Sequence, residues 1–77
     1  MDIKILGWGC EKSDMTERLV REVLSETGVL ATIVKVTDVI EVAQYGVFVT
    51  PAVVVDGEVK AAGDLPRKEE IKKWILH

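Results

Sequence analysis

Two short β-favouring runs enclose one amphipathic helical segment, and this restricts the fold more than any other feature of the chain. Asp2-Ile3-Lys4-Ile5-Leu6 alternates as a strand and stops at Gly7-Trp8-Gly9. From Ser13 onward Met15, Leu19, Val20, Val23 and Leu24 recur at helical spacing, opposite Glu17, Arg18, Arg21, Glu22 and Glu26. Gly28 supplies a left-handed stop. The β-branched run Leu30 to Val36 then suits a central strand buried mainly on both faces. A strand, a helix and a strand in this order predict a parallel crossover unit.

The rest of the chain extends that unit. Asp38 is placed to cap a short helix running through Tyr45, with Gly46 ending it. Phe48 to Val55 reads as a strand that Pro51 interrupts near its start, and Asp56-Gly57 is a dipeptide preferred in two-residue hairpin turns. Glu58 to Ala62 is then the partner strand. After Gly63, a last helix over about Pro66 to Leu76 carries Ile71, Trp74 and Ile75 on one stripe. Its Arg67, Lys68, Glu69, Glu70, Lys72 and Lys73 read as a solvated face. The order β-α-β-α-β-β-α predicts an α/β fold with a mixed four-stranded sheet and helices on both faces. A chain of 77 residues has room for one core, so residues 1–77 are expected to form a single domain.

Composition narrows the functional classes. With 48% hydrophobic residues and a net charge of -3, the chain is neither disordered by low hydropathy nor equipped with the basic footprint of a nucleic-acid binder. The N-terminal residues lack the basic and apolar regions of a signal peptide, and no apolar stretch approaches the roughly 20 residues of a membrane span. A cytoplasmic location is expected, without membrane or nucleic-acid partners. One cysteine and one histidine exclude an internal disulfide and a four-ligand Cys/His zinc site, so no metal or cofactor is expected.

The lone Cys10 lies just past the first glycine break and at the expected start of the first helix. Unpaired backbone N–H groups and the helix dipole there favour a thiolate. Lys12 favours the anion and Glu11 opposes it. The competing reading is a buried, inert cysteine, against which the polar neighbours Glu11 and Lys12 count. Thr50-Pro51 is the second feature. From the residues alone Pro51 reads as the opening of an edge strand, with a cis Thr50-Pro51 peptide as the other option.

The loop Gly7-Trp8-Gly9-Cys10-Glu11-Lys12-Ser13, the run Val49-Thr50-Pro51 through Asp56-Gly57, and Lys68 to Lys73 in the last helix together resemble the thioredoxin-like proteins called small redox-active disulfide protein 2. The likeness spans essentially the whole chain and extends to glutaredoxins. It implies a thioredoxin-like fold, Cys10 as the attacking thiol of a thiol-disulfide oxidoreductase, and Thr50 and Pro51 as the platform for a partner backbone or glutathione. The implied partners are protein disulfides or low-molecular-weight thiols such as glutathione, with the chain a monomer and the reductase donor open. The family's second cysteine is replaced by Ser13.

A hydroxyl cannot resolve a mixed disulfide, so the two-step dithiol cycle would stop halfway. Ser13 can cap the first helix or donate a hydrogen bond toward the Cys10 thiolate. A C-x-x-S site fits a natural monothiol enzyme, a Cys-to-Ser form of a dithiol protein, or a non-catalytic thioredoxin-fold module that grips a peptide beside Cys10 and Pro51. Iron-sulfur binding of the C-G-F-S glutaredoxin kind is disfavoured by Glu11 and Lys12 and by a single thiolate per chain. Trp8 either shields the thiol and packs a substrate or fills space beside the first helix. Trp74 reads as core, and Tyr45 and Phe48 as covers for the end of the sheet.

Overall fold

A computed structural model describes residues 1–7, 11–63 and 65–76. Its elements follow the expected order: β1 (Asp2–Leu6), α1 (Glu11–Thr27), β2 (Thr32–Val36), α2 (Val39–Gln44), β3 (Ala52–Val55), β4 (Glu58–Ala62) and α3 (Lys68–Leu76). The sheet order is β2-β1-β3-β4, with β1 and β2 parallel and the other neighbours antiparallel.

Strand alternation divides the core into two layers. Ile3 and Ile5 pair across the sheet with Val55 and Val53, and this face packs on Val20 and Val23 of α1 and Ile71 and Ile75 of α3. Leu6, Ala52 and Val54 face the other way, against Val42 of α2 and Val47. Lys4 falls on this thinner α2 side. Its Nζ donates to the Tyr45 Oη at 2.6 Å and lies 5.4 Å from the ring centroid, so the cation keeps an acceptor and a π face. The hydrogen bond to Tyr45 holds the Lys4 ammonium above its ordinary value.

Several expectations are corrected by packing. The run Leu30 to Val36 does not form a central strand: β2 is an edge strand with Thr32 and Val34 exposed, and Leu30 stands outside it at 91% exposure. The inner strands are β1 and β3, and the four residues of β3 are all buried between β1 and β4. Helix α1 starts at Glu11, before Ser13, and its buried positions are Ser13, Thr16, Val20 and Val23. At about 100° per residue, Met15 points roughly 120° away from the centre of that face, which leaves it exposed. Leu19 and Leu24 flank the face and are half-buried. Tyr45 packs on the second layer, but Phe48 is 82% exposed and covers nothing. Helix α3 begins at Lys68, two residues later than expected, and Trp74 packs at the core's margin.

Local signals hold where chemistry is local. The Asp38 carboxylate accepts from the Ile40 N–H at 2.9 Å as an N-cap. Asp56 and Gly57 both have positive φ, 49° and 82°, as a type I′ turn requires. The pairing of β3 with β4 skips Lys60 between Val59 and Ala61, a bulge that bends the edge strand. Among the described residues, no buried side-chain nitrogen or oxygen lacks a hydrogen-bond partner. Thr16 and Thr27, for example, donate to the Lys12 and Val23 carbonyls at 2.7 and 2.8 Å.

Helices α1 and α3 are joined at the surface by ion pairs. Lys68 donates to Glu26 and lies 3.5 Å from Glu22, while Lys72 lies 3.5 Å from Glu26. The hydrogen bond from Lys68 lowers Glu26 below its ordinary 4.5 and raises Lys68. A depressed carboxyl contributes stability above its unfolded pKa and loses it as pH falls through the folded value. The raised Lys68 contributes below its unfolded pKa and loses that as pH rises through the folded value. Glu26→Gln is therefore expected to lower the melting temperature slightly at pH 7, with the gap closing in acid, once the pH is below the folded pKa of Glu26, and shrinking in high salt. Thermal melts at pH 7 and in acid check this; a gap that persists in acid would assign the effect to packing.

Candidate functional site

The site lies where β1 ends and α1 begins, on the same side of the sheet as the turn before β3. At that junction Gly7 is buried, and its N–H donates to the Val36 carbonyl at 2.9 Å, continuing the ladder between β1 and β2 by one residue. A Cβ on Gly7 would collide with the Ser13 Oγ, sit 3.0 Å from the Ser13 Cβ and come within 3.9 Å of the Thr50 Cβ. Gly7 is needed here for close approach, because the side chains from α1 and from the Thr50 turn occupy the space. Sequence reading treated it only as a strand breaker. Nothing in local spacing points to a contact across these three elements.

Ser13 is fully buried, in the third position of α1. Since the helix begins two residues earlier, Ser13 is not its N-cap, and that part of the expectation is corrected. Thr50 is half-buried and Pro51 buried, and the peptide between them is cis. The Pro51 carbonyl accepts from the Gly63 N–H at 2.8 Å, which ties the turn to the chain leaving β4. Val49 packs its Cγ1 against Gly63, 3.1 Å from where a Cβ would lie there, while most of Val49 remains exposed.

The structure thus brings Ser13 and Thr50 together around Gly7 and sets Pro51 in the same turn. Cys10 and Trp8 lie outside the described residues; α1 begins one residue after Cys10 in the chain. Glu11 and Lys12 are exposed in the first turn of α1. Asp14 and Glu17, farther along, pair with Lys35 of β2. Among the described residues no three His, Cys, Asp or Glu side chains gather as a metal centre would need. No described helix is long and apolar enough to cross a membrane.

Beside this junction runs a cleft of about 450 Å³ lined by Lys12, Ala61, Ala62, Leu65, Pro66, Arg67 and Glu70. Ala62 pairs with Ala52, the residue after Pro51, so one wall of the cleft continues directly into the Pro51 turn. In the sequence Ala61 and Ala62 read as part of a partner strand, Arg67 and Glu70 as a solvated helix face, and Lys12 as a charge that favours the Cys10 thiolate.

Comparison with known proteins agrees across the chain. A family described as Thioredoxin domain matches residues 1–76. A protein named thioredoxin from Methanocaldococcus jannaschii is 46% identical over 73 residues, covering 95% of this chain and 84% of that protein. Another of that name from Methanothermobacter thermautotrophicus is 38% identical over 75 residues, covering 97% of each.

Proposed function

The chain belongs to the thioredoxin domain family, and from that premise we propose that it is a thiol-disulfide oxidoreductase working through one nucleophile, Cys10, in a Cys10-Glu11-Lys12-Ser13 site. The observation that carries this reading is the meeting of Ser13, Thr50 and Gly7 beside Pro51. The residue three positions after Cys10 is buried against the turn that would hold a partner's backbone.

In the proposed reaction the Cys10 thiolate attacks one sulfur of a substrate disulfide. The substrate S–S bond breaks, a bond from Sγ to that sulfur forms, and the departing thiolate takes a proton from water. Ser13 occupies the resolving position and cannot displace the bound sulfur. A second, external thiol such as glutathione attacks the mixed disulfide, leaves as the new disulfide and returns Cys10 to the thiolate. The substrates are protein disulfides or low-molecular-weight disulfides. The closer kinship proposed is with small redox-active disulfide protein 2, the chain being either a natural monothiol member or a Cys-to-Ser form of a dithiol one. A cytoplasmic monomer folded as a single domain fits this role in cell redox balance, and Trp8 would border the substrate.

A second reading, a peptide-binding module without turnover, is favoured by one observation. Phe48 and Val49, immediately before the Thr50-Pro51 turn, are 82% and 58% exposed and offer an apolar rim to a partner chain.

Reaction with a small aromatic disulfide near neutral pH separates the two. The folded protein is expected to form one adduct per chain roughly tenfold or more faster than the same chain unfolded in urea, as a thiolate stabilised at a helix start requires. An adduct in the unfolded chain and none in the folded protein would remove Cys10 as the nucleophile.

A further inference from the structure

The described lining of the cleft beside the Pro51 turn is positive in sum. The chain carries a net charge of -3, yet the described lining of the cleft holds two cations, Lys12 and Arg67, and one carboxylate, Glu70. The Glu70 Oε1 already accepts from the Arg67 backbone N–H at 3.2 Å, closing the first turn of α3. Most other lysines are engaged: Lys4 with Tyr45, Lys35 with Asp14, Lys60 with Glu58, and Lys68 and Lys72 with Glu26. Lys12 and the Arg67 guanidinium have no such ion pair among the described residues. They come from opposite ends of the chain and line one cleft together with Ala61, Ala62, Leu65 and Pro66. Two cations without an ion pair among the described residues, in a cleft lined also by apolar side chains and next to the Pro51 turn, suit an anionic group on a short apolar stem.

We propose that this cleft seats a carboxylate of the disulfide substrate, so that the site selects carboxylate-bearing disulfides over neutral or cationic ones. The inference rests on the oxidoreductase reading and names its substrate class. Lys12 and Arg67 act as specificity residues: they hold the substrate's carboxylate while Cys10 exchanges with its sulfur. The carboxylate comes from a small acidic thiol's disulfide or from an acidic residue beside a cystine in a protein.

Three small disulfides of similar size test it: dithiodipropionate as the dianion, hydroxyethyl disulfide as the neutral compound and cystamine as the dication. The adduct rate of each, measured by mass spectrometry, is divided by its rate with a free model thiol so that intrinsic reactivity cancels. At low salt the normalised ratio of dianion to neutral is expected to be roughly 5- to 20-fold, falling as ionic strength rises. That ratio is expected to drop several-fold in Lys12→Gln and in Arg67→Gln, and to approach one in the double variant. In a second arm, disulfide-linked peptides with Glu or Gln beside the cysteine are compared. Preference for Glu there, stronger than for the small dianion, assigns the carboxylate to a protein partner; the reverse assigns it to a small thiol. A ratio near one in the parent protein, or one unchanged in the double variant, overturns the cleft assignment while adduct formation itself upholds the oxidoreductase reading. No adduct with any of the three disulfides overturns that reading and the cleft's role together.

Discussion

Gly7→Ala is expected to lower stability by about 1–3 kcal/mol, equivalent to a fall in melting temperature of roughly 5–20 °C for a domain of this size. The added methyl falls on the Ser13 hydroxyl, and 3.0 Å from the Ser13 Cβ leaves little room for it to turn aside. Neither partner moves freely: Gly7 is held by its N–H bond to Val36, and Ser13 by the first turn of α1. The whole stability of a small domain is on the order of 5 kcal/mol, so this one methyl threatens the fold. The cause can be isolated with Ser13→Gly, which deletes both contacting atoms at a cost of about 0.5 kcal/mol in helix propensity. Denaturation of the four proteins of that cycle is expected to show the double variant more stable than the sum of the singles by at least about 1 kcal/mol. Additive effects would mean that the collision with Ser13 is not what excludes a side chain at Gly7.

Ser13→Cys is expected to have the largest functional effect. It gives the chain a second thiol three residues after Cys10, the C-x-x-C spacing of a dithiol pair. Under mild oxidation the variant should lose two mass units and resist alkylation at both sulfurs. Reduced first and then freed of reductant, the variant should reduce a protein disulfide in a single turnover, releasing the dithiol product and ending in its own internal disulfide. The parent should stop at the mixed disulfide, because a hydroxyl at position 13 is no nucleophile toward sulfur. Finding both thiols alkylated after oxidation would show that position 13 is not the resolving position.

Much of the fold was legible because its determinants are local. Asp38 caps α2 through a carboxylate two residues from its donor, and Asp56-Gly57 turns the hairpin because those residues tolerate positive φ. Strand rank was not legible. The runs 30–36 and 52–55 are both rich in β-branched residues, and nothing within either one says whether a neighbour will pair on one side or two. Met15 was misassigned for a related reason: an apolar residue at the margin of a helical stripe is buried only if a neighbouring element reaches it. The site was legible in part. Ser13, Thr50 and Pro51 were singled out and converge around Gly7, while Cys10 and Trp8 lie outside the described residues. Arg67 is exposed, as its reading on a solvated face has it; that it lines the same cleft as Lys12 has no local signal, because the two lie far apart in the chain.

The sequence by itself determined the β-α-β-α-β-β-α order, the hairpin and the α2 cap, and the chemical limits set by one cysteine and a serine three residues later. These follow from side-chain period, backbone preference and composition, which act over a few residues. Only the tertiary structure decided that β3 takes an inner place and β2 the edge, that Gly7 must lack a side chain, and that Lys12 and Arg67 share a cleft beside the Pro51 turn. Each of these depends on which surfaces meet when the sheet pairs and the helices pack, and close packing between distant segments leaves no trace in local spacing.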